Sequence, residues 1–211
     1  EYCRRNKGYY IPSDEDQDSD IEKVLEPFEL LNSINADNGL PAFVFPERHK
    51  ASGSEYLYGV IHAITNQLRI NISYQKFGET TAFERIVEPY VLKEFHGRWY
   101  LLGYEKVRPE KLKTFGLDRI TNLSILTEHF RRREGLKMEE LFRDSFGIVL
   151  EEEQPVEDIT LAFDRYDKAY LKSSPLHPSQ QIIKEDENGF VIQLKLKITS
   201  DFIMELLSRS N

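Results

Sequence analysis

Residues 95–104, Phe-His-Gly-Arg-Trp-Tyr-Leu-Leu-Gly-Tyr, hold the single tryptophan of the chain and set Arg98 among Trp99, Tyr100 and Tyr104. A guanidinium offers a planar fork matched to phosphate, and a tyrosine offers a stacking face together with a hydroxyl. On a strand, Trp99, Leu101 and Gly103 share one face, while Arg98, Tyr100, Leu102 and Tyr104 share the other. The first face reads as core and the second mixes charge with rings. The same composition also makes a well-packed core strand, so the stretch alone does not separate binding from packing. Bond-breaking chemistry has little support: the sequence has no metal-spaced His/Cys cluster, no phosphate-cradling P-loop and no nucleophile elbow. His62 lies beside the apolar side of a predicted helix, His177 sits between Leu176 and Pro178, and Cys3 is the only cysteine. The two histidines read as structural residues and Cys3 as part of a mobile terminus, and the chain is expected to be neither an enzyme nor a cofactor carrier.

The 211 residues are 40% hydrophobic and 30% charged, enough for a real core and for two small domains. A net charge of −8, from 28 Lys and Arg against 36 Asp and Glu, argues against holding duplex DNA by bulk charge. It leaves room for a small basic site on an acidic body. Acidic clusters at 14–20 and 151–158 read as solvated boundaries. No run has the length of a membrane span and residues 1–7 have no apolar signal region, so no membrane association is expected. A single cysteine suits a reducing cytoplasm, and a first residue other than Met reads as a fragment.

The elements that must position these groups follow from periodicity and turn signals. Residues 2–11 read as a hairpin around Asn6-Lys7-Gly8. Ser19-Asp20-Ile21-Glu22 is a capping box opening a helix with Ile21, Val24, Leu25, Phe28, Leu31 and Ile34 on one face, interrupted or restarted at Pro27. Residues 40–46 form an extended strap. Ser54 is placed to cap a helix over 55–67, and residues 68–74 alternate as a strand. Further strands are predicted at 85–92, with Pro89 marking an edge, bulge or bend, at 98–104 after a His96-Gly97 turn, at 113–120 and at 122–127. One helix followed by five short strands predicts a strongly bent sheet closing into a compact barrel. Arg131, Arg132 and Arg133 read as a solvated linker before a short helix that ends near Gly147. Beyond the second acidic cluster the order is strand 159–163, helix 166–172, strand 181–184, an Asn-Gly turn, strand 190–198 and a helix capped by Thr199 or Ser200. That β-α-β-β-α order matches a ferredoxin-like split unit lacking its final strand.

Ala63-Ile64 on a helix, Tyr74 ending a strand, Val87-Glu88-Pro89-Tyr90, Gly97-Arg98-Trp99-Tyr100-Leu101 and Leu117-Asp118-Arg119-Ile120 occur in this order. Together they resemble the WYL domain of bacterial transcriptional regulators. The segment from Tyr170 through His177, with the strands and helix after it, looks like the WCX extension that follows such domains, and the N-terminal hairpin resembles the end of a winged helix-turn-helix. The resemblance implies an α+β chain: a small Sm/SH3-like β-barrel with a helical linker, plus a ferredoxin-like α/β C-terminal module missing its last strand. The implied domains are 1–12, a remnant of the wing; 13–53, a helical linker; 54–130, the WYL domain; 131–154, a linker helix; and 155–211, a partial WCX domain. It also implies a homodimer and an effector that is a nucleotide, a cyclic dinucleotide or single-stranded nucleic acid, with duplex DNA contacted through an N-terminal domain absent from this sequence. In that setting the candidate ligand-binding residues are Tyr74, Arg85, Tyr90, Arg98, Tyr100 and Arg119. Arg119 has a competing role as the ion-pair partner of Asp118 or Glu88, and the tyrosines have competing roles in the core. A single-stranded nucleic-acid-binding module of Sm type is the second reading.

Overall fold

The computed structural model describes residues 2–3, 8–9, 53–135, 137–151, 153–187 and 189–209. The expected capping box at 19–22, its helix and the strap at 40–46 lie outside the described residues. The chain divides into two units, Glu1–His49 and Lys50–Asn211. In the first, β1 (Tyr2–Cys3) pairs antiparallel with β2 (Gly8–Tyr9), Tyr2 opposite Tyr9. This is the pairing expected of the hairpin.

In the second unit, apolar residues at helical spacing form α1 (Leu57–Thr65), which buries Leu57, Val60 and Ala63. The strict alternation of 68–74 forms β3 (Leu68–Tyr74), whose Ile70, Ile72 and Tyr74 are buried. The chain then runs through β4 (Phe83–Phe95), β5 (Arg98–Glu105), β6 (Arg108–Gly116) and β7 (Ile120–His129). His96 and Gly97 take φ of 50° and 73°, as a two-residue hairpin turn between β4 and β5 requires. The register of β4 against β5 shifts between Pro89 and Val91, so the proline sits at a bulge.

All five strands pair antiparallel in the order β6-β5-β4-β3-β7. The outermost strands, β6 and β7, are consecutive in sequence and joined by a single 3-10 turn, Leu117–Arg119. Four strand spacings across a flat sheet come to ~19 Å, whereas the chain from Gly116 to Ile120 reaches at most ~14 Å. The sheet is therefore curled until its edges approach, and among the described residues no ladder joins β6 to β7. The closed barrel expected from the sequence is here a curled sheet with two edges. The expected strand over 113–120 also starts earlier, at Arg108, and ends at Gly116, because closing that gap forces 117–119 out of extended conformation.

The face of the sheet packed on α1 gathers Ile70, Ile72, Val87, Leu101, Phe115, Leu117 and Ile120 with Leu57, Val60 and Ala63. The opposite face is also buried in part, under Tyr90, Leu102, Tyr104, Leu112 and Phe130, with Leu141, Phe142 and Leu150 against them. Leu141 and Phe142 come from α2 (Met138–Arg143). The face of β5 that mixes charge with rings thus becomes a second core toward its Tyr104 end. Arg132 and Arg133 are exposed, as a solvated linker requires, and lie over the rings of Tyr90 and Tyr104 at 5.6 and 3.7 Å.

The C-terminal segment contains β8 (Glu157–Phe163), α3 (Arg165–Ser173), β9 (Gln181–Glu185), β10 (Phe190–Leu196) and α4 (Ser200–Ser208). Its sheet order is β8-β10-β9, antiparallel throughout, over a core of Leu171, Phe190, Ile192, Leu194, Leu196 and Phe202. Thr199 caps α4 by accepting from the Phe202 amide, and Asp164 caps α3 by accepting from Tyr166 and Asp167. His177 is buried, its Nδ1 accepts from the Ser179 amide, and burial holds its pKa below the ordinary 6.5. Among the described residues no helix is long and apolar enough to cross a membrane.

The start of α1 corrects one sequence expectation. Ser54 makes no side-chain cap; Gly53 begins the turn with φ of 93°, and its amide donates to Glu55 Oε2. A Cβ at Gly53 would lie 2.2 Å from the Leu117 carbonyl carbon, so this glycine lets the helix entry press against the turn that links the sheet edges. Gly53→Ala is expected to lower stability by roughly 2 kcal/mol, through left-handed strain and displacement of that turn. Urea denaturation checks this, since a cost within a few tenths of a kcal/mol would mean the contact relaxes freely.

Candidate functional site

Pairing puts the alternating positions of four neighbouring strands on one face: Tyr74 of β3, Phe83 and Arg85 of β4, Gly103 and Glu105 of β5, and Lys113 and Phe115 of β6. Toward α1 this face is apolar. Away from α1 it opens into a cavity of about 1110 Å³ that reaches around β6 to Leu112 and Thr114 of the opposite face, and is lined also by Leu126 of β7 and by Ile148, Val149 and Leu150. The lining carries seven cations, Lys76, Arg85, Lys106, Arg108, Lys111, Lys113 and Arg119, against two carboxylates, Glu84 and Glu105.

Glu105 organises the floor. It is almost fully buried, and its two oxygens accept from Arg85 Nη1 and Lys113 Nζ. Burial raises the carboxyl's pKa, but the hydrogen bonds and charges of Lys113 and Arg85 outweigh it and hold the group below its ordinary 4.5. A buried ionised carboxylate between two cations fixes both in place and leaves one net positive charge. Tyr74 lies beside them, edge-on to Phe115, and its hydroxyl accepts from the Gly116 amide at 3.3 Å. Burial raises the phenol above its ordinary value against the pull of Arg119, so it stays neutral at pH 7.

The Arg119 guanidinium lies 5.4 Å from the Tyr74 ring and 4.9 Å from that of Phe77, and Arg85 lies 5.7 Å from Tyr74. Its place depends on a missing side chain: a Cβ on Gly116 would sit 2.8 Å from Arg119 Nη2 and 2.5 Å from Asp118 Oδ1. Asp118 faces Arg119 Nε at 3.8 Å and Arg98 Nη1 at 3.2 Å. The other competing partner, Glu88, is taken by Arg69 at 2.8 Å. Within the described residues the buried Nε atoms of Arg85 and Arg119 have no hydrogen-bond acceptor. Two fixed guanidiniums, a neutral phenol and a lysine rim can take up an anion that carries a flat ring.

Of the six residues singled out from the sequence, Tyr74, Arg85 and Arg119 meet in this cavity. Arg98 and Tyr100 do not line it, although Arg98 connects to Arg119 through Asp118. Burial raises the Tyr100 phenol above its ordinary value, with Arg98 acting against it. Tyr90 is packed in the second core, edge-on to Tyr104, with its hydroxyl accepting from the Arg133 amide. Sequence reasoning passed over Glu105, Lys113, Phe77, Phe83 and the basic turn around Lys106 and Arg108. The dense charge of 105–113 was the available signal.

Glu105→Gln tests the floor. The lowered pKa means that the wild-type carboxylate adds stability above its ordinary 4.5, and that this is lost as pH falls through the lowered value. The variant is expected to be about 2 kcal/mol less stable near pH 7 and to lose less stability on acidification, as followed by urea denaturation at a series of pH values. Parallel curves for the two proteins would contradict the arrangement.

Residues 55–125 match the model of the WYL domain family. No curated protein matches the chain. Among solved structures, the chain is similar to proteasome accessory factor B/C (PafBC) of Arthrobacter aurescens at 26% identity and a TM-score of 0.43, over 82% of this chain. It spans 26% of the length of that PafBC chain.

Proposed function

We propose that the cavity is the effector site of a bacterial transcriptional regulator and that its ligand is anionic and nucleotide-like: a nucleotide, a cyclic dinucleotide or a short single strand. The observation that carries this reading is the concentration of seven cations and three aromatic rings, Tyr74, Phe83 and Phe115, around one cavity of a chain whose net charge is −8. The WYL match over residues 55–125 supports it. In this reading Arg119 and Arg85 hold phosphate, Tyr74 with Phe77 or Phe83 stacks a base, and no bond is broken, so the chain is not an enzyme and needs no cofactor. Arg98 acts at one remove, through Asp118.

The reading extends to architecture. The curled sheet is of Sm/SH3-like type, supported by the short link between its edges. The β8-β10-β9 order is that of three strands of a ferredoxin-like sheet, which supports a WCX-type module. The regulator is cytoplasmic and homodimeric, and a winged helix-turn-helix domain of the same regulator contacts duplex DNA. Effector binding biases the geometry of the paired DNA-binding domains.

A second reading, a module holding single strands in its own right, is favoured by Phe77 and Phe83, which are 72% and 53% exposed beside the basic lining. One experiment addresses both: titration with mono-, di- and cyclic nucleotides and short single strands, followed by Trp99 fluorescence and melting temperature. A ligand that binds only the folded chain raises the melting temperature by mass action. The effector reading expects saturation at one site per subunit, weakened about tenfold or more by Arg119→Ala. Binding of strands alone, falling steeply with salt, selects the second reading. No response to any of these removes both.

A further inference from the structure

Three cavity-lining residues, Ile148, Val149 and Leu150, belong neither to the sheet nor to α1. They follow Gly147, and the segment 146–149 is gripped from two sides. From the sheet, Lys93 Nζ donates to the Gly147 carbonyl at 2.5 Å and Thr114 Oγ1 donates to that of Ile148 at 3.4 Å. From α4, Asp201 Oδ2 accepts from the amides of both Ile148 and Val149, at 2.8 and 3.0 Å, and the Thr199 hydroxyl donates to the Phe146 carbonyl. Gly147 takes φ of 80°, and a Cβ there would lie 2.3 Å from Asp201 Oδ2. The segment is shaped around that carboxylate.

An acidic residue in the first turn of a helix ordinarily serves its own helix end. Here Thr199 already accepts from the Phe202 amide, and the Asp201 carboxylate turns outward to two amides more than fifty positions earlier in the chain. We infer that Asp201 is a positioning residue for the cavity: by fixing the Ile148 and Val149 amides it sets the wall they form with Leu150, and so couples cavity binding to the seating of α4. The inference rests on the reading of the cavity as an effector site. Coupling of this kind is reciprocal, so a ligand pressed on the wall steadies α4 as much as α4 steadies the wall.

The test uses the full chain with Asp201→Ala, Asp201→Asn and Asp164→Ala. Asparagine keeps an oxygen that accepts from both amides; Asp164→Ala weakens the C-terminal segment through the cap of α3 without touching the wall. Amide hydrogen exchange is read over 146–151 and 111–115, and affinity is read with a fluorescein-labelled single-stranded dinucleotide, pdApdA. The expected result is exchange at least tenfold faster in both segments and affinity at least fivefold weaker for Asp201→Ala. Asp201→Asn and Asp164→Ala stay within about twofold of wild type in both readouts. Unchanged exchange in Asp201→Ala, or equal losses in Asp164→Ala, overturns the inference. Failure of the wild-type chain to bind the dinucleotide counts against the effector reading, and the exchange measurement then decides the role of Asp201 alone.

Discussion

The three-residue turn Leu117–Arg119 joins strands at opposite edges of a five-stranded sheet, and the rest of the molecule answers to that constraint. A link this short cannot span a flat sheet, so the strands curl and one face becomes concave. The concave face is filled by α1 and its apolar partners over half its extent. The other half carries Arg85, Glu105 and Lys113, which line the cavity and which no helix among the described residues covers. The same turn places Arg119 under Tyr74, with the Gln75 amide donating to the Arg119 carbonyl at 3.0 Å. One turn thus both curls the sheet and places Arg119 beside the other cations.

Glu105 makes that arrangement tolerable. Two cations held close together at a partly buried position repel each other, and a carboxylate between them offsets that repulsion while leaving one net positive charge. The cost is burial of an ionised group, which is why both its oxygens are used. Farther out, Lys106 pairs with Glu128 at 3.4 Å, while Arg108 and Lys111 have no ion-pair partner among the described residues and leave the mouth basic.

Much of this was legible in the sequence because it rests on local periodicity. The alternation of 68–74, the His96-Gly97 turn, an edge, bulge or bend at Pro89 and a cap at Thr199 or Ser200 all depend on neighbouring residues, and the structure selects the bulge and Thr199. The break at Gly116 was not legible: Leu117, Asp118 and Ile120 continue a strand pattern, and only the distance between sheet edges bends them. Tyr90 was placed with the candidate site because a sequence does not reveal that both faces of β5 are packed. Glu105 is not singled out by the dense charge of 105–113, which does not show which of its members turns inward; its partners lie 20 and 8 positions away. Ile148-Val149-Leu150 carried no turn or helix signal, and their role arises from contacts with β6 and α4.

In the proposed reading an anion is held at the concave basic face and at no other cationic cluster of the described residues. Its most direct test is nuclear magnetic resonance mapping of backbone and arginine side-chain signals during titration with inorganic tripolyphosphate, a polyanion with no base to bias the outcome. The expected shifts are concentrated at Arg85, Lys106, Arg108, Lys113 and Arg119, with Ile148 and Val149 following. Shifts centred on Arg131, Arg132 and Arg133, or on Arg98 alone, would contradict it.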